Sequence, residues 1–121
     1  MEFKQFFENS NGLDALLQSL FQQYPGIKLD AWENDNRIEL STIEVPQKMR
    51  GNGIGSNILK SLKDYAQKVN KPIVLRPQAD RGKIAALDRF YDRNEFVKNK
   101  GRNADYTLSS PFAATRYWKP R

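Results

Sequence analysis

The chain has no cysteine and no histidine in its 121 residues. Those two absences remove much chemistry at once. There is no thiol nucleophile, no imidazole base and no serine–histidine relay, and no thiolate or imidazole set to hold zinc, so no metal site is expected. Proton transfer must fall to carboxylates, tyrosine, lysine, water or backbone. Without cysteine there is no disulfide framework. No apolar run reaches the length that spans a bilayer, so no membrane partner is expected. The start, Met1-Glu2-Phe3-Lys4-Gln5, lacks a basic region followed by an apolar one. No export signal is expected, and the cytoplasm is the default. Internal repeats and low-complexity segments are also missing. At this length the expectation is a single domain, 1–121.

Charge is plentiful but unevenly placed. The net charge is +6. Residues 1–45 carry three cations against eight anions, whereas residues 46–121 carry seventeen cations against six anions. A basic half of this kind draws a polyanionic ligand, an acidic partner or nucleic acid. A solvated basic face is the plainer reading, and charge alone does not separate these.

Periodicity outlines the elements. Phe3, Phe6 and Phe7 are too many aromatics for a loose tail. Leu13, Leu16, Leu17, Leu20, Phe21 and Tyr24 recur at three- and four-residue steps, an amphipathic helix that Pro25-Gly26 stops. Ile27, Leu29 and Ala31 alternate with polar neighbours as a strand, and Asn34-Asp35-Asn36 is a hairpin turn of residues that tolerate positive φ. Arg37–Val45 is the second, antiparallel strand. Ile54, Ile58, Leu59, Leu62, Tyr65, Ala66 and Val69 mark a helix running to about Asn70. Ile73-Val74-Leu75 is a short, wholly apolar run and reads as a buried strand. The strand–helix–strand order places it parallel to Arg37–Val45. Gln78–Gly82 is a loop, and Ile84, Leu87, Phe90 and Tyr91 outline a helix ending near Asn94. Phe96-Val97-Lys98 begins a strand, Lys100–Asn103 is a polar turn, and Tyr106-Thr107-Leu108 and Ala114–Trp118 read as further strands.

The stretch Val45-Pro46-Gln47-Lys48-Met49-Arg50-Gly51-Asn52-Gly53-Ile54-Gly55-Ser56 joins the Arg37–Val45 strand to a helix. Glycines bring backbone close to a ligand and take positive φ. The first N–H groups of a helix have no partner within it, and the helix dipole adds positive potential there. A phosphate fits such a site. The spacing is not that of the P-loop, because no Gly-Lys-Ser/Thr follows. It is also too tight for the dinucleotide fingerprint.

Arg50-Gly51-Asn52-Gly53-Ile54-Gly55 resembles the Arg/Gln-x-x-Gly-x-Gly/Ala signature of the GCN5-related N-acetyltransferases (the GNAT family), with Val45-Pro46 at that family's usual distance. Leu87-Asp88-Arg89-Phe90-Tyr91-Asp92-Arg93-Asn94-Glu95-Phe96 is similar to its other hallmark, a helix reading Leu-x-x-Phe-Tyr-x-x-x-Gly-Phe. The two lie in the family's order, with a helix and a strand between them. The resemblance covers Arg37 to Trp118, taken as the core (37–118), and fits 1–36 only as a variable N-terminal helix and strand. One position departs: the family's helix-ending glycine is Glu95 here. Asn94 tolerates the left-handed conformation better and would shift the cap by one residue.

The resemblance implies an α/β fold with a mixed, mostly antiparallel sheet, helices on both faces, and a V-shaped split between Arg37–Val45 and Ile73–Leu75. It implies acetyl-coenzyme A (acetyl-CoA) as donor, a primary amine as acceptor, and direct attack in a ternary complex. The amides of Met49, Arg50, Gly51, Asn52, Gly53, Ile54, Gly55 and Ser56 would cradle the coenzyme's diphosphate, with charge from Arg50 and help from Lys48. The main chain of Ile43, Glu44 and Val45 would pair with the pantetheine arm like an added strand, leaving the Val45 N–H for the thioester oxygen. Tyr91 would be the leaving-group acid, a phenol of pKa about 10 facing a thiolate of similar basicity. Glu39 is favoured as the base, on the face it shares with Ser41 and Ile43 by period-two alternation, and a water chain stays open beside it. Arg76, Gln78, Arg81 and Lys83 would meet phosphates or acceptor, or be solvated. Trp32, Tyr117 and Trp118 would line an acceptor pocket or pack in the core.

Two other classes remain. One is a silent coenzyme A (CoA)-binding or protein-interaction module of the same fold. The other is a nucleic-acid binder, which no helix-turn-helix, RNP aromatic pattern or zinc spacing supports. The acceptor, a protein lysine or a small amine, is not legible. The compact form resembles small stand-alone bacterial and phage-borne members, including an anti-CRISPR branch that acetylates a lysine on a nuclease. A homodimer stays open.

Overall fold

A computed structural model describes residues 12–75, 84–109 and 115–121. Helix α1 spans Gly12–Gln23 and buries Leu13, Leu17 and Leu20, one apolar stripe at helical spacing. Strands β1 (Lys28–Glu33) and β2 (Ile38–Glu44) form an antiparallel hairpin. Its turn does not use positive φ. Instead the Asn34 Oδ1 accepts from the amides of Asn36 (2.8 Å) and Arg37 (3.0 Å), so a side chain takes the place of a backbone carbonyl.

Helix α2 (Ile54–Val69) buries Ile58, Leu59, Leu62 and Ala66 completely. Asn70 ends it in the left-handed conformation (φ 58°) that asparagine tolerates. Strand β3 (Ile73–Leu75) is buried throughout and runs parallel to β2. Helix α3 spans Ile84–Arg93, and β4 is Val97–Lys98. One helical turn, α4 (Tyr106–Ser109), stands where the sequence reads as a strand. Asp105 is the reason: its Oδ1 accepts from the Thr107 amide at 3.1 Å and from the Thr107 hydroxyl, capping a helix start that outweighs the β preference of Tyr106 and Thr107. Strand β5 (Arg116–Trp118) closes the sheet, whose order is β1-β2-β3-β5-β4, with only the β2–β3 pair parallel among the described strands.

The three longer helices share one face. Ile38, Leu40, Ile73, Leu75 and Trp118 pack there with the buried rows of α1 and α2 and with Tyr91 and Phe96. On the other face Val74 and Tyr117 pack with Leu108 of α4. Two irregularities mark β2. The β2–β3 ladder stops at Leu40↔Leu75, while β2 runs on to Glu44. The register between β1 and β2 also slips, from Asp30↔Thr42 to Ala31↔Leu40, leaving Ser41 as an extra residue in a β-bulge.

The α3 end corrects the expected cap. Asn94 does not take the left-handed position; Glu95 does, at φ 71°. The Phe96 amide donates to Tyr91 O (3.0 Å) and the Glu95 amide to Asp92 O (3.1 Å), the paired bonds of a Schellman end. The Glu95 carboxylate is held by Lys63 of α2 and by Arg121.

Candidate active site

Where the β2–β3 ladder ends, an open cleft of about 930 Å³ enters the molecule, a size suited to a coenzyme. One wall is Leu40 to Val45 of β2 and its extension, with Leu75 of β3. A second is the loop and first turn of α2: Met49, Arg50, Gly51, Gly53, Ile54, Gly55 and Ser56. The third is α3, through Ala86, Leu87, Phe90, Tyr91 and Arg93.

From Gly51 onward the loop wall is built of unsatisfied donors. The Met49 and Arg50 amides close a short 3₁₀ turn onto Pro46 O and Gln47 O. From Gly51 to Ser56 no acceptor among the described residues takes a backbone N–H. The first bond of the helix is Asn57 N–H to Gly53 O at 2.9 Å. Gly51 (φ 88°) and Gly53 (φ 74°) make this possible, since both sit in the left-handed region. A Cβ at either would meet nothing within 4 Å, so the glycines serve the backbone path and leave the space before the amides open. Arg50 Nε donates to Val45 O at 2.8 Å, fastening the loop to the end of β2 while its guanidinium stays at the cleft. These residues fit an anionic diphosphate.

Tyr91 lines the far wall and is only 4% exposed. Phe90 and Phe96 meet its ring edge-on at 5.1 and 6.0 Å, and the Arg116 guanidinium lies 5.9 Å from its centroid. Burial pushes the phenol up to about 12, against a smaller downward pull from Arg116. The group therefore stays protonated at neutral pH and keeps a proton to donate. Arg116 is itself fully buried and anchors α3 on β5, donating to Phe96 O, Asp92 and Asp88.

The cleft thus gathers Ile43, Glu44, Val45, Met49, Arg50, Gly51, Gly53, Ile54, Gly55, Ser56 and Tyr91. Three of the residues read from the sequence as catalytic or cofactor-binding lie outside its lining. Lys48 is exposed on the 3₁₀ turn. Asn52 turns its amide back to Met49 O at 3.3 Å. Glu39 is buried in an ion pair with Arg37 (3.2 Å), whose guanidinium also donates to Thr107 O and Leu108 O. The bulge at Ser41 breaks the alternation that had set Glu39 on the same face as Ile43: Ile43 packs with the core beneath the helices, and Glu39 sits across from Val74 on the other face. Glu44 is the carboxylate among the lining residues. Trp118 and Tyr117 are buried on opposite faces and Trp32 is exposed; none lines the cleft. Arg76, Gln78, Arg81 and Lys83 lie outside the described residues.

Arg93 was not singled out from the sequence. It stands three residues beyond Phe90 on α3, so helical spacing from that residue could have pointed to it. No helix among the described residues is long and apolar enough to cross a membrane.

A mixed sheet with one parallel pair, opened beside a glycine turn that starts a helix, with a tyrosine on the following helix, makes this a GNAT-like fold. Among solved structures, the anti-CRISPR protein AcrVA5 is similar at 26% identity and a TM-score of 0.56, over 78% of this chain and 90% of that one. Ard1 from Thermoplasma volcanium shares the fold at 16% identity and a TM-score of 0.56, over 88% of this chain and 79% of that one. No protein-family model and no curated protein matches the sequence.

Proposed function

We propose that the protein is an N-acetyltransferase that moves an acetyl group from acetyl-CoA to a primary amine, by direct attack in a ternary complex. The observation that carries this reading is the run of unpaired amides from Gly51 to Ser56 at one end of a cleft whose other wall presents Tyr91. The donor supplies its acetyl group as an activated thioester. The chain's own residues do the rest. The amides of Gly51 to Ser56 hold the diphosphate, and Arg50 and Arg93 add positive charge. The Val45 N–H, which has no backbone acceptor among the described residues, polarises the thioester carbonyl. Glu44, or a water it holds, receives the proton of the attacking amine. Tyr91 donates a hydrogen bond to the departing sulfur. Its raised pKa suits it to stabilising the thiolate more than to giving up its proton outright.

The acceptor is a protein lysine or a small amine, and the setting is the cytoplasm. Titration calorimetry with acetyl-CoA, CoA, ATP and NAD tests the donor: only the two CoA species should bind. Mass-spectrometric transfer assays across amines, peptides and proteins test the reaction. Tyr91→Phe should bind CoA as the wild type does and turn over at least tenfold more slowly. Absence of CoA binding would remove the reading. Unchanged turnover in the mutant would remove only the role of the phenol.

A further inference from the structure

Asn94 lies at the end of α3, is 9% exposed, and does not line the cleft. Its Nδ2 donates to Phe90 O at 2.8 Å and to Ser56 Oγ at 3.1 Å. The first bond settles which way the amide faces. A carbonyl can only accept, so nitrogen and not oxygen must point at Phe90. The same nitrogen then meets the Ser56 oxygen, and Ser56 spends a lone pair on it. No acceptor among the described residues takes the Ser56 hydroxyl proton. A serine in the first turn of a helix can otherwise satisfy itself on nearby backbone. Here Ser56 borders the cleft together with Gly53 and Gly55, and its own amide is also unpaired.

We infer that Asn94 is a positioning residue that fixes Ser56 as a double donor, hydroxyl and amide together, to the anion held at the start of α2. The inference rests on the diphosphate reading of that loop. It adds a specificity element absent from the glycine signature. It also ties the helix that carries Tyr91 to the loop that holds the phosphates, so the two ends of the cleft share one hydrogen bond. Polarity is the point: Asn94 presents a donor, so the serine must send its proton outward. An aspartate there could only accept, and would draw the proton away from the ligand.

The test is calorimetric binding of CoA and of pantetheine, which lacks the diphosphate, to the wild type, Ser56→Ala, Asn94→Ala, the double variant and Asn94→Asp. Losing one hydrogen bond to a charged group should weaken CoA about ten- to a hundredfold in Ser56→Ala. Asn94→Ala should lose a similar factor, and the double variant no more than either alone, because the two act through one hydroxyl. Asn94→Asp should lose the most. Pantetheine affinity should stay unchanged throughout, which a merely structural role in docking α3 on α2 would not allow. Additive losses, or equal losses for the two ligands, would overturn the inference. Should Asn94→Ala fail to fold, Ser56→Thr against Ser56→Ala decides: threonine keeps the hydroxyl and should keep the affinity. Wild-type protein that binds no CoA would instead remove the diphosphate reading itself.

Discussion

Gly55 of α2 lies against the ring of Phe90 on α3 so closely that a Cβ there would come within 3.0 Å of the ring's Cζ. The contact sets the distance between the two helical walls of the cleft. Gly55→Ala gains up to about 1 kcal/mol in helix propensity, against an overpacking cost of about 1–3 kcal/mol. The balance is a net cost of up to about 2 kcal/mol, so melting temperature should fall by up to about 8 °C. CoA affinity should fall about tenfold, because the methyl and the displaced ring both enter the cleft. Calorimetry beside a melting curve checks this; wild-type affinity would show that Phe90 yields without cost to the ligand.

The Tyr91 phenol gives the fold an alkaline limit. Its pKa rises from about 10 in the unfolded chain to about 12 when buried. Below about pH 10 the phenol is protonated in both states, and the stability linked to it is present in full. As pH climbs from about 10 towards 12 the unfolded state loses its proton first and stability falls. Tyr65, also pushed up by burial and by its bond to Glu33, acts in the same sense. Urea unfolding at pH 8 to 11 should show the decline, shallower in Tyr91→Phe but not abolished. An identical slope in the mutant would place the phenol in water.

Glu95 combines a left-handed backbone with two ion pairs, and substitution separates them. Glu95→Ala loses the contacts to Lys63 and Arg121 and keeps the awkward φ. Glu95→Gly loses the same contacts but removes a penalty of about 1 kcal/mol. The carboxylate is half exposed, so its pairs contribute little. Glu95→Gly should therefore melt above Glu95→Ala and at or above wild type. Glycine melting with alanine would mean the backbone there carries no strain.

Glu44 is the carboxylate beside the β2 end of the cleft. As the group that takes the amine's proton, it should lower turnover about a hundredfold when changed to glutamine, with CoA affinity unmoved. Glu39→Gln should disturb stability instead, since it leaves the buried Arg37 short of its charged partner. Full activity in Glu44→Gln would leave water as the proton acceptor.

Local chemistry made much of this molecule legible from its residues. The helix over 54–69, the alternating strands, and a glycine turn feeding a helix are written in neighbouring side chains, where period and φ preference act directly. The two spaced motifs also marked Tyr91 and the loop together. Asp105 is equally local, but its capping bonds compete with the β preference of Tyr106-Thr107-Leu108, and residue type alone does not decide between them.

What lay beyond the sequence depends on partners far along the chain. The bulge at Ser41 exists only in register with β1, and it moves Ile43 to the face opposite Glu39. Arg37 draws Glu39 into a buried pair because carbonyls about seventy residues away receive its guanidinium. Glu95 holds glycine's left-handed place at the end of α3 with Lys63 and Arg121 beside it, and Asn94 finds Ser56 only when α3 docks on α2. Periodicity assigns each residue to an element and a side. Which donors keep a partner, and which are left facing the cleft, was decided by how those elements meet.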